Sequence, residues 1–79
     1  MSEQYRRIVS AIEYTLDQLR RGPKGKDAKE TAPAYERRLE AWYIGKHKFA
    51  LYAIRCLKTL DAQRAEGFLC DLRQLGDEI

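Results

Sequence analysis

Chemistry-bearing residues are scarce in this chain of 79 residues, which has one histidine, two cysteines and two prolines. His47 has no second histidine and no cysteine at ligand spacing, so a zinc site has no ligand set to start from. As a general base it would need an orienting carboxylate and a nucleophile. Glu40 and Asp61 are candidates for the first, but no serine stands near for the second. His47 therefore reads as a histidine on a polar face. The two cysteines are too few for a disulfide-built scaffold. Cys56 falls on an apolar stripe while Cys70 points away from one, so reduced thiols in a cytoplasmic protein are expected. No signal-like hydrophobic segment is visible, and no apolar run approaches the roughly 20 residues of a membrane span. No catalytic motif emerges, so neither an enzyme nor a cofactor is expected.

What the chain does have is apolar residues at helical spacing, in three stripes. The first is Tyr5, Ile8, Val9, Ile12, Leu16 and Leu19; the second is Tyr35, Leu39, Trp42, Phe49, Ala53, Cys56, Leu57 and Leu60; the third is Ala65, Phe68, Leu69, Leu72 and Leu75. They predict helices over 3–21, 33–60 and 62–76 of a single domain. Ser2 and Thr31 stand as N-caps for the first two, and Asp61 for the third. Gly22 supplies a left-handed C-cap, and Pro23 cannot continue the first helix. Gly76 is placed to end the third, followed by an acidic tail, 77–79, expected to fray.

The connection over 22–32, GPKGKDAKETA, has no large apolar residue and reads as a flexible basic loop. Its Gly25-Lys26 pair invites a phosphate-loop reading. That reading fails because no buried strand precedes it and Asp27 stands where a serine or threonine is needed. The expected fold is all-α: an antiparallel three-helix bundle with a long central helix, or four helices if the chain breaks at Gly45. An unbroken central helix is favoured, with Gly45 costing about 1 kcal/mol relative to alanine.

The net charge of +3 is unevenly spread. Residues 34–60 carry six Lys or Arg against two Glu, whereas 61–79 carry two Arg against five acids. A basic middle and an acidic end suit either an acidic partner or a second copy. On the reverse side of the central helix, Arg37, Ala41, Ile44, Lys48, Leu51 and Arg55 share one face. Two readings compete: Ile44 and Leu51 are core between flanking helices, or they form an apolar anchor with a basic rim that binds an acidic protein. Lys46 lies within the main stripe, where its stem is expected to run along Trp42 to water.

The aromatics interleaved with cations also admit nucleic-acid binding. However, most rings fall on the core stripe (Tyr14, Tyr43 and Tyr52 being the exceptions), and no helix-turn-helix signature is present. The functional expectation is a non-enzymatic protein–protein interaction module: a small helical regulator, adaptor or inhibitor, perhaps a homodimer. An inhibitor of a host complex, encoded by a phage or mobile element, is one concrete version. The alternative is a small basic nucleic-acid-binding protein.

Overall fold

A computed structural model describes residues 2–77, with side chains through Leu75. Of the tail 77–79, expected to fray, Asp77 is still helical and Glu78 and Ile79 lie outside the described residues. Three helices form: α1 over Glu3–Arg21, α2 over Ala32–Lys58 and α3 over Ala62–Asp77. Among the described residues there is no strand.

Local chemistry accounts for where each helix starts. Ser2 Oγ accepts the Tyr5 N–H at 3.1 Å and Thr31 Oγ1 accepts the Ala34 N–H at 3.3 Å. Asp61 Oδ1 accepts the Arg64 N–H at 3.1 Å. Each bond satisfies one of the amide donors that a helix leaves unpaired in its first turn. α1 ends at Gly22, where φ is +80° and the backbone N–H donates to the Gln18 carbonyl at 2.9 Å. A side chain here would be strained by that φ, and a Cβ would come within 3.3 Å of the Tyr43 hydroxyl.

The Tyr43 contact and the Lys46–Gln18 hydrogen bond set the direction of α2. Positions rise along α1 as their neighbours on α2 fall, so the two helices are antiparallel. α3 returns alongside α1. The Tyr5 hydroxyl donates to Asp61 Oδ2 at 2.8 Å, and Arg64 Nη2 reaches Glu13 Oε1 at 3.4 Å. The bundle is longer than its size alone requires: its extents are 47 × 25 × 16 Å and its radius of gyration is 14.5 Å. A spherical domain of this length would have a radius of gyration of roughly 12 Å. The excess comes from α2, whose 27 residues extend about 40 Å.

One core holds the three helices together. Ile12 and Leu16 of α1, Leu57 of α2 and Leu72 of α3 are its largest fully buried side chains. Ala50, Ala53 and Ile54 complete the α2 contribution, and Ala65 of α3 is buried among them. This corrects part of the periodicity reading. Phe49 and Leu60, expected on the buried stripe of α2, are about half exposed, whereas Ala50 and Ile54 are buried. The physical reason is that α2 is apolar around much of its circumference. Periodicity finds a greasy flank, but the packing of α1 and α3 selects which flank closes, and the narrow Ala50/Ala53 side admits two neighbours at short range. Leu60 lies beyond the helix end, in the turn.

α2 is unbroken through Gly45. A Cβ at this position would meet nothing within 4 Å, so no neighbouring backbone requires the glycine. Gly45→Ala is expected to stabilise the fold by about 1 kcal/mol, read as a higher urea midpoint at unchanged m. A lower midpoint would mean the helix is not regular there.

Asp61 couples the start of α3 to α1. The Arg64 backbone N–H and then the Tyr5 hydroxyl donate to its carboxylate and hold it below the usual aspartate range. A depressed folded-state pKa contributes stability that is complete above the unfolded value of roughly 3.9 and is lost as pH falls through the folded value. The urea midpoint should therefore drop between about pH 5 and pH 2. It should drop less in Asp61→Asn, which keeps a capping oxygen but does not titrate there. Equal acid slopes for the two proteins would contradict this coupling.

Candidate protein-binding face

α3 closes one side of the α1–α2 pair, and the other side stays open. Two adjoining depressions, of about 450 and 560 Å³, run along that open side and share Ala11 of α1 and Phe49 of α2. Towards one end the lining includes Ile8, Tyr52, Ala53 and Cys56; towards the other it includes Tyr14, Ala41, Trp42 and Gly45. Among the described residues, none from α3 lines either depression. Together they form a shallow apolar groove between two antiparallel helices.

Helical periodicity builds this groove on both sides. Ala11, Tyr14 and Gln18 recur at three- and four-residue steps on α1, and Ala41, Gly45, Phe49, Tyr52 and Cys56 do the same on α2. The small residues Ala11, Ala41 and Gly45 make the floor low, while the rings of Tyr14, Phe49 and Tyr52 rise beside it. These three rings are 65%, 49% and 68% exposed. Gathering three half-exposed or exposed aromatics along one groove is unusual for a surface that meets only water.

Polar groups inside the groove are already partnered. Lys46 Nζ donates to Gln18 Oε1 at 2.9 Å and lies 5.8 Å from the centre of the Trp42 ring. The ammonium thus lies by Trp42 as expected, but it ends on a neutral carboxamide of α1 where the sequence pattern suggested water. Thr15, the one buried polar residue among the described residues, donates to the Ala11 carbonyl at 2.7 Å. On the α1 rim, Arg7 pairs with Glu3 at 2.9 Å and Arg21 with Asp17 at 3.2 Å.

The face named from sequence forms the outer wall of this groove. Arg37, Ala41, Ile44, Lys48 and Arg55 are all exposed, and Ala41 also lines the groove. Ile44 is 47% exposed. Leu51 is half-buried and packs against the core. Arg37, Lys48 and Arg55 stand one helical step from Ala41, Gly45 and Tyr52, so they border the groove along its α2 side. None of the three is in an ion pair among the described residues.

A second polar cluster organises the 22–31 connection instead. Arg38 donates to the carbonyls of Lys24 and Gly25 at 3.2 and 3.0 Å and to both oxygens of Glu30 at 3.0 Å. The guanidinium holds Glu30 below the usual glutamate range. The cluster closes on itself and leaves Arg38 committed to its own chain.

Cys56 is half-buried and Cys70 exposed, and neither is in a disulfide. Among the described residues, no three His, Cys, Asp or Glu side chains gather as a metal ion would require. No helix there is long and apolar enough to cross a membrane. Comparison with protein-family models, characterised proteins and solved structures finds no match for the chain.

Proposed function

We propose that the chain is a non-enzymatic protein–protein interaction module, a small helical regulator, adaptor or inhibitor working in the cytoplasm, and that it binds through the α1–α2 groove. The observation that carries the reading is the exposure of Tyr14, Phe49 and Tyr52 along a face that α3 leaves uncovered. Aromatic side chains seated around a concave apolar strip are what binding hot spots are made of. The two free thiols favour a reducing compartment. An inhibitor of a larger complex is one form such a module takes, and a homodimer is another.

Nucleic-acid binding has the row Arg37, Lys48 and Arg55 in its favour. Three cations in one line are few for phosphate recognition, and of the exposed rings Tyr52 alone stands a helical step from Lys48 and Arg55, while Tyr14 and Phe49 line the apolar channel. The protein reading is therefore preferred.

The test is affinity capture from the cells that make the protein, with wild type, Phe49→Glu and a control on the opposite helix, Gln74→Glu. A specific protein retained by wild type and by the control, and lost with Phe49→Glu, supports the proposal. Retention of the same proteins by all three overturns it.

A further inference from the structure

Resting on the docking reading, we infer that the occupant of the groove is an amphipathic helix from another protein, carrying acidic residues along the flank that faces α2. Charge decides the occupant. On the α1 rim, the Glu3–Arg7 and Asp17–Arg21 pairs neutralise one another. On the α2 rim, Arg37, Lys48 and Arg55 form a row with no carboxylate paired to it among the described residues. The groove is thus apolar at its floor, neutral on one rim and positive on the other. A helix fits that pattern with apolar side chains at i, i+4, i+7 and i+11 and with Glu or Asp along one flank. From Ala41 to Cys56 the α2 wall runs about 22 Å, which is some 15 residues of a partner helix.

A second copy of the chain fits less well. The acidic excess of this sequence lies in 61–79, and the described residues of α3 include no exposed large apolar side chain to enter the groove. Groove-to-groove pairing would bring the apolar floors together, but it supplies no acids to either basic row. Gly45 fits the same picture: the empty space above it admits a close helix. Gly45→Ala should therefore weaken binding while strengthening the fold.

The experiment is selection from a displayed library of 16-residue helical peptides. Apolar anchors are varied among Ala, Leu, Met and Phe, and both flanks among Glu, Gln and Lys. The full chain is the bait, and circular dichroism confirms that each bait variant is folded. The expected result is at least tenfold enrichment of Glu over Lys on one flank, reversal to Lys with the Arg37→Glu, Lys48→Glu, Arg55→Glu bait, and loss of all binders with Phe49→Glu. Binders selected without any flank preference would overturn the acidic assignment and leave the docking reading standing. Failure to enrich any helix would overturn the helical occupant. Phe49-dependent self-association in sedimentation would assign the groove to a second copy and overturn the foreign one. Oligonucleotide binding that displaces the peptides would overturn it in favour of nucleic acid.

Discussion

Replacing Leu57 by alanine is expected to lower the stability of the fold by about 3 kcal/mol, within the range for emptying a well-packed leucine site. Leu57 is 0% exposed and belongs to the one core that joins all three helices. A domain of this length has only roughly 4–12 kcal/mol of total stability, so the loss is a large share of the whole. The melting temperature should fall by about 15 °C, given some 4–8 °C per kcal/mol for a domain of this size. The backbone at Leu57 should not change, because the amides of Leu60 and Asp61 donate to its carbonyl (at 2.8 and 2.7 Å) whatever its side chain. Thermal and urea unfolding followed by circular dichroism check the figure. A loss below about 1 kcal/mol would place the meeting point of the helices elsewhere.

Phe49→Glu should have the opposite profile, with stability within about 1 kcal/mol of wild type and partner binding weakened at least about 100-fold. The ring is half exposed, lies between the two depressions and is outside the buried core. In the free protein a carboxylate there stays in water. In a complex it would be desolvated against an apolar surface, next to a partner whose own acids repel it. Titration against the captured partner, beside a melting curve, separates the two effects. If Phe49→Glu unfolds the protein, the ring belongs to the core and the groove is not a free surface. The same comparison on Ile44→Glu and Leu51→Glu is informative. Ile44 is exposed and should tolerate the change, while half-buried Leu51 packs on the core and should not.

Much of this architecture is legible in the sequence. Ser2, Thr31 and Asp61 read as caps, and each accepts a backbone N–H three residues on. Gly22 reads as a helix terminator and has the positive φ that only glycine adopts freely. The three-helix count follows because a single glycine at position 45 costs only about 1 kcal/mol, too small a penalty to break a helix that packs on both neighbours.

The closed flank of α2 is not legible in the same way. Trp42, Ile44, Phe49, Leu51, Tyr52, Ile54 and Leu57 spread around the helix, and periodicity puts Leu57 rightly inside but Phe49 wrongly, and leaves Ile54 off the stripe although it is buried. Burial depends on where α1 and α3 come to rest, a tertiary choice made by small residues such as Ala50, Ala53 and Ala65. The face led by Arg37, Ile44 and Lys48 is readable as a feature of one helix. The groove it borders is not, since half of its lining belongs to α1 and the pairing of Ala11 with Phe49 exists only in the folded chain. Tyr14 and Tyr52 give a hint, because both fall off the core stripes of their helices, although Tyr43 does too and yet packs against the core. Two large rings with no place in the core mark the two sides of the groove.

The claim on which the rest depends is that the open side of the α1–α2 pair meets another protein. Hydroxyl-radical footprinting by mass spectrometry, on the purified chain and inside the cells that produce it, tests this whatever the partner is. Tyr14, Phe49 and Tyr52 should oxidise readily in the isolated protein at every concentration and be protected in the cell, while Phe68 and Leu69 on α3 react equally in both. Equal oxidation of the three rings in both settings, or protection confined to α3, would contradict the account.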